Sequence, residues 1–478
     1  MKYPVKIALL LLVTLVLAVP AAAAVDLSKI VVLGALVDSG FLDNCWVKHG
    51  QADAWPAIFA RQAGSDFQQP LLDEPGVGGC MILQDLGPTY TYAASTPKPL
   101  NLNLARPYNN LAIPGYLAAS ATTCVTATAA APCKNPLIDL VLRGSGATTL
   151  QQAASLKPTF VILGVFGNEA LGAATSGTVI DGVTLPSAAV YAASYKTIVD
   201  TMKAAQGGTG VGVAATLPDI PSIAYFSAVS PIIGVNPSTG APIYVLGSTG
   251  CGSGVPACSV PAGTLVPFPM ATLMKAGYGI PCAVAPSLPK CNNPLPDNGD
   301  AATGMPGLLY PSEVALLKTR IAEYNAQIQT LATGAGYKIF DTAAIIAGIT
   351  STGREWGGMA INGKYLQGGF FSYDGVHPTQ LGYAIVANDL VNFVNANYGS
   401  SVPQVDMSVY LFGGNSTGYP LGRPVTQGDV LDYGAAYFTP ENLKAWQGLF
   451  GVDLRHLTVP VPSEGEPITP GRRGAEVR

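Results

Sequence analysis

The sequence predicts an α/β fold built on a doubly wound parallel sheet. Short apolar runs alternate with amphipathic stretches along most of the chain. Those runs are apolar on both faces, as strands covered on each side by helices must be. The polar residues able to do chemistry fall just after a run or just before a helix, where ligands bind in such sheets.

Residues 29–37 (KIVVLGALV) are the first strand. Residues 52–63 follow as a helix that puts Trp55, Ile58 and Phe59 on one face and stops at Gly64. Residues 159–167 are a buried strand with no polar residue between Phe160 and Val165. A long helix spans about residues 187–206, and residues 211–216 are another strand. The clearest helix opens at Pro311-Ser312-Glu313 and carries Val314, Leu317, Ile321, Tyr324, Ile328 and Leu331 at spacings of three and four. Residues 337–343 form the next strand. Pro378 sits where a first helical turn tolerates proline, and Leu381, Ile385, Leu390 and Phe393 give the last helix an apolar face up to Tyr398. The expected sheet has about five strands, with 29–37 central because its run leaves no face for water.

Other segments stand outside this alternation. Residues 1–24 read as an export signal: Lys2 and Lys6, an apolar run from Ile7 to Val19, then Ala22-Ala23-Ala24. That run is 13 residues long, against the roughly 20 that a membrane span needs. The domain proper is expected over 25–401, interrupted at 217–309 by an insertion. Pro218 to Pro306 holds 15 of the 39 prolines and four of the eight cysteines, and reads as a segment stapled by disulfides rather than an independent core. Residues 402–457 are a C-terminal extension, and 458–478 lack apolar periodicity and read as a disordered tail.

Charged residues are 11% of the chain and the formal net charge is −4. Lysine and arginine are scattered without a basic stripe, which argues against a nucleic-acid partner. The mature chain is expected to be periplasmic or extracellular, with no membrane span. Eight cysteines in an exported chain most simply make four disulfides. Proximity alone suggests Cys124–Cys133, Cys251–Cys258 and Cys282–Cys291, which leaves Cys45–Cys80. A metal site is disfavoured, because no Cys-x-x-Cys occurs and none of the three histidines lies at ligand spacing from a cysteine pair.

Acyl transfer needs a nucleophile, a base, a group that orients the base, and donors for the developing oxyanion. Asp374-Gly-Val-His377-Pro378 offers a base and an orienting carboxylate. The same residues equally suit a helix cap beside a buried histidine. Gly115, in Asn110-Leu-Ala-Ile-Pro-Gly115, offers a backbone N–H that an oxyanion can approach, or else a plain turn after Pro114. Asn168, in Gly167-Asn168-Glu169, offers a side-chain donor at a strand tip, or else a turn residue bonding its own backbone.

Together, Gly34 after an apolar strand, the 110–115 stretch, Gly167-Asn168-Glu169 and Asp374-x-x-His377-Pro378 resemble the four blocks of the SGNH hydrolases, the GDSL esterases and lipases. The resemblance covers most of residues 29–398, with the blocks in order. It implies a three-layer α/β/α fold, hydrolysis of a small ester, lipid or acyl-sugar, and no metal or organic cofactor. It also implies that Asp374 and His377 are acid and base and that Gly115 and Asn168 are oxyanion donors.

Two blocks depart from the family pattern. In ungapped register, Ala35 stands at the family's aspartate and Leu36 at its nucleophilic serine. Phe166 and Glu169 replace the usual glycine and aspartate of the third block. Asp38-Ser39 restores an Asp-Ser pair three residues later. Three extended residues span about 10 Å, too far for a histidine placed to serve position 36. Three functions are consistent with these residues: an esterase using Ser39, a binding protein that keeps the pocket without turnover, and a surface protein whose insertion makes the contacts.

Overall fold

In a computed structural model, the protein is described over residues 24–85, 89–93, 98–300, 305–356 and 358–411. The expected export signal (apart from its last residue), most of the expected C-terminal extension and the expected tail lie outside the described residues.

The site-bearing elements are, in chain order, β1 (Ile30–Leu33), α1 (Leu36–Ser39), α2 (Trp55–Gln62), β2 (Phe160–Leu163), α3 (Asn168–Ser176), α4 (Ala188–Ala205), β3 (Gly212–Ala215), α5 (Pro311–Ala335), β4 (Lys338–Phe340) and α6 (Gln380–Tyr398). The four strands pair in parallel in the order β1-β2-β3-β4. Ile30 lies opposite Phe160, Val161 opposite Gly212, and Val213 opposite Lys338. On the outer side of β1, Val32 bonds in parallel to the segment around Asn110: its N–H donates to the Asn109 carbonyl and its carbonyl accepts from Leu111. The expected central place of this strand and the expected count of about five are corrected: among the described residues the sheet has four strands and β1 ends their order, with this isolated bridge on its outer side. Every residue of β1, β2 and β3 is buried.

The expected strand over 29–37 is corrected: β1 stops at Leu33, and residues 36–39 are a short helix. A buried apolar run does not distinguish strand from helix. Leu36 and Val37 are apolar because they line a cleft, not because they extend the sheet. The expected helix over 52–63 is likewise shorter, starting at Trp55 with Pro56 in its first turn.

Aromatic side chains join helices to sheet. Trp55 and Phe59 of α2 meet Phe340 and Phe160, at ring separations of 5.7 and 6.0 Å. Phe393 and Tyr398 of α6 reach the same two phenylalanines. Tyr191 of α4 stacks on Tyr324 of α5 at 4.3 Å. α5 ends at Gly336, whose φ of 106° suits a residue without a side chain.

All eight cysteines pair as proximity suggested: Cys45–Cys80, Cys124–Cys133, Cys251–Cys258 and Cys282–Cys291. The insertion differs from expectation. Besides its two disulfides it has a small core of its own, with Val245, Val260, Val266, Met270, Leu295 and Leu308 buried together. Antiparallel pairing of residues 232–235 with 242–244, and of 246–247 with 258–259, brings these residues together. Its Phe268 stacks on Tyr365 at 5.0 Å and the N–H of its Tyr225 donates to the Gly375 carbonyl at 2.7 Å, fastening the insertion beside the Asp374 loop. Among the described residues, no helix is long and apolar enough to cross a membrane.

Candidate active site

The site forms beyond the carboxyl ends of β1 and β2. At this edge Asp38, wholly buried, ties the two strand ends together. One of its oxygens accepts the backbone N–H of Ala35 and of Val165, each at 2.8 Å, and the other accepts Trp55 Nε1 at 3.1 Å. A Cβ on Gly34 or Gly164 would lie within 2.1 or 2.3 Å of this carboxyl group, so both strand ends need glycine to admit it. Burial pushes Asp38 up to about 7, although its three donors pull the other way.

This anchoring decides the fate of Ser39. The chain turns into α1 directly after Ala35, and Gly40 closes the turn at φ 79°. Ser39 is buried, and its hydroxyl donates to the Leu36 carbonyl at 2.8 Å. It is absent from the residues lining the cleft, whereas Leu36 shares that cleft with His377 and Asn168. The structure thus seats Leu36, and not Ser39, at the cleft.

Asp374 and His377 form a tight buried pair. His377 Nδ1 lies 2.8 Å from Asp374 Oδ2. The other carboxylate oxygen accepts the N–H of Val376 and of His377, both at 2.9 Å, and Oδ2 also accepts the N–H of Asn44 at 2.9 Å. Burial alone would raise the Asp374 carboxyl. The facing His377 and the bonds from His377 and Asn44 outweigh it and hold the group below the usual carboxylate range. The helix-cap alternative does not hold: Thr379 caps α6 by accepting from Gly382, while Asp374 is buried against His377. Phe41 packs on the imidazole at 4.8 Å. His377 Nε2 is buried with no protein hydrogen-bond partner.

Asn168 opens α3 at the tip of β2 and lines the cleft. Its amide donates to the Tyr116 carbonyl at 2.7 Å, and neighbouring Glu169 accepts from Ala118 N–H at 2.7 Å. Burial pushes the Glu169 carboxyl up to about 7. These two bonds draw the loop after Gly115 toward β2. Gly115 itself is exposed at φ 77° and is not among the residues that line the cleft. The carbonyl of its neighbour Pro114 accepts from the Asn135 amide at 2.6 Å.

One part of the site was missed in the sequence: a clasp over the Asp374 loop. Leu42 and Cys45 exchange backbone bonds around Asp43 and Asn44, both left-handed at φ 50° and 61°. This is a two-residue turn of the kind that Asx residues support. Asp43 N–H donates to Ser372 Oγ at 3.0 Å and its carboxylate accepts Tyr373 N–H at 2.8 Å, while Asn44 N–H reaches Asp374. The Cys45–Cys80 bridge fixes the far end of the turn. The Asp-Asn pair was the available signal, but the loop that it grips lies some 330 residues away.

The cleft holds about 60 Å³, room for a few waters or a short aliphatic group. Apart from His377 and Asn168 its walls are apolar or glycine, among them Leu36, Val165, Leu171, Ile223 and Phe371. The fold and site define an α/β protein with a buried Asp–His pair opening on an apolar cleft. No protein-family model matches the chain, and no curated protein matches it.

Proposed function

We propose that this chain is an exported protein of SGNH/GDSL hydrolase type, with a three-layer α/β/α fold, that has lost its nucleophile and binds a small ester, lipid or acyl-sugar group without covalent turnover. The observation that carries the reading is that Leu36 shares the cleft with His377, while Ser39 is buried and bonded to a backbone carbonyl. Covalent acyl transfer requires a hydroxyl or thiol within about 3 Å of the base. A leucine side chain can neither attack nor donate. The parts that would orient a base remain, since Asp374 receives His377 Nδ1 and Asn168 stands beside it in the cleft. Four disulfides support the exported address.

A serine-directed fluorophosphonate followed by peptide mapping tests this reading. The expected result is no adduct on any serine of the 34–41 peptide. Stoichiometric labelling of Ser39 would make the chain a serine hydrolase with a displaced nucleophile.

A further inference from the structure

A group of aromatic side chains lies beside the cleft, outside its walls. Three separate segments supply it: Tyr90 and Tyr92 from the hairpin of Met81–Asp85 and Thr89–Tyr92, Tyr225 and Phe268 from the insertion, and Tyr365 and Tyr373 from the stretch before Asp374. Phe268 is at the centre, 6.4 Å from Tyr90, 5.4 Å from Tyr225 and 5.0 Å from Tyr365, and Tyr90 reaches Tyr373 at 6.0 Å. The hydroxyls of Tyr90 and Tyr365 bond to each other, and Tyr365 donates to the Tyr373 carbonyl at 2.5 Å. Phe268 is buried, whereas Tyr90, Tyr225, Tyr365 and Tyr373 are only partly so. Tyr92 is 62% exposed, the only exposed aromatic side chain among the described residues. As alternate residues of one strand, Tyr90 and Tyr92 share a face of the hairpin, so Tyr92 carries the group from the interior out to solvent. A ring left in water forgoes most of what its burial would contribute, so packing does not account for Tyr92.

Charge and shape select an occupant. Burial, and with it the carboxylates of Asp43 and Asp374, pushes the hydroxyls of Tyr90, Tyr225 and Tyr365 up, so the rings are neutral in a negative field that repels an acidic ligand. The rings pack on one another by face and edge, and so do not form the cage around an empty centre that suits a quaternary ammonium. What they offer is an apolar ring face with hydrogen-bonding groups at its rim. The hydroxyls of Tyr92 and Tyr225 form no bond among the described residues. A pyranose with equatorial hydroxyls has the complementary form: its axial C–H groups make a flat apolar face and its hydroxyls project from the rim. We infer that Tyr92 and Tyr225, backed by Phe268, bind a neutral sugar of this kind, stacked on the Tyr92 ring and hydrogen-bonded by the tyrosine hydroxyls. The surface adjoins the cleft, since the Tyr225 N–H donates to the Gly375 carbonyl at 2.7 Å and Ile223 and Val376, close by in the same two segments, line the cleft. The inference does not rest on the fate of the nucleophile, so labelling of Ser39 would overturn the reading above and leave this one standing. No bond is made or broken.

The probes are cellohexaose, a neutral chain of such sugars, hexagalacturonate as an acidic counterpart, and choline as a cation. Each is titrated by isothermal calorimetry into the full chain as wild type, Tyr92→Ala and Tyr92→Phe. Because Tyr92 is exposed, both variants should keep the wild-type melting temperature. Cellohexaose should bind wild type saturably, with affinity about tenfold lower in Tyr92→Ala. Tyr92→Phe, which keeps the ring and loses only the hydroxyl, should lose less than that. Hexagalacturonate and choline should bind more weakly than cellohexaose. No binding of cellohexaose, or equal affinity in wild type and Tyr92→Ala, overturns the inference. Tighter binding of hexagalacturonate or choline, lost in Tyr92→Ala, overturns it in favour of an anion or a cation site. A lowered melting temperature in Tyr92→Ala would make the ring a packing residue and overturn it as well.

Discussion

The hydroxyl of Ser39 donates to the carbonyl of Leu36 across 2.8 Å, inside a helix of four residues. That bond ties the Ser39 hydroxyl to the backbone of its own helix, and Leu36, not Ser39, lines the cleft. A role for Ser39 in catalysis would first require breaking it.

Ser39→Ala should therefore cost about 1 kcal/mol of stability, the usual net worth of one such hydrogen bond. Thermal denaturation checks it. A Ser39→Ala protein of unchanged stability would show that the bond to Leu36 contributes nothing to the fold.

The Asp374 carboxylate organises its loop through four donors, so Asp374→Asn should destabilise by about 3 kcal/mol. It should also release the imidazole tautomer, visible as exchange between Nδ1-H and Nε2-H forms in ¹⁵N spectra. An unchanged, single-tautomer spectrum in Asp374→Asn would show that something else fixes the ring.

Removing the Cys45–Cys80 bridge by double substitution to alanine should cost about 4 kcal/mol in the chain-entropy model, for a sequence separation of 35. Because that bridge backs the turn carrying Asn44, hydrogen exchange at the Asn44 amide should accelerate more than at the strands. Equal acceleration everywhere would mean that the bridge stabilises the whole domain without gripping the loop.

Acid dependence follows from four buried or half-buried carboxyl groups. Burial pushes Asp38, Asp43 and Glu169 up to about 7, from ordinary values of 3.8 for aspartate and 4.5 for glutamate. The folded chain binds these protons more tightly than the unfolded chain does, so stability should fall as pH rises from about 4 through 7 and then level off. Asp374 acts in the opposite sense. Its folded value is depressed, so its contribution is present above the unfolded value and disappears as pH drops through the folded one. Urea midpoints should be higher at pH 5 than at pH 8, and Glu169→Gln should narrow that difference. A midpoint that rises from pH 5 to pH 8 would contradict the assignment.

Much of the scaffold was legible because its signals are local. The apolar runs at Phe160 and Gly212 and the three-and-four spacing from Val314 to Leu331 sit where the strands and helix are. The acid–base spacing at Asp374 and His377 is equally local, and three disulfides close loops of fewer than ten residues. What escaped depends on contacts distant in sequence. β1 was extended to Val37 because a leucine that lines a cleft and one that packs in a sheet look alike. The clasp of Asp43 and Asn44 over Ser372, Tyr373 and Asp374 has no local trace beyond a turn-forming pair. The bond from Asn135 to the carbonyl of Pro114, beside Gly115, is likewise encoded by no motif. The core of the insertion arises from pairing between short hairpins, each too small to show a pattern alone.

The most direct test of the central claim is the rate of aryl-ester hydrolysis by three proteins: wild type, Ser39→Ala and Leu36→Ser. With no attacking group beside His377, wild type and Ser39→Ala should share one rate close to the uncatalysed background. Leu36→Ser, which puts a hydroxyl in the same cleft as the Asp374–His377 pair, should exceed both. Robust wild-type hydrolysis abolished by Ser39→Ala would contradict the account and make Ser39 the nucleophile.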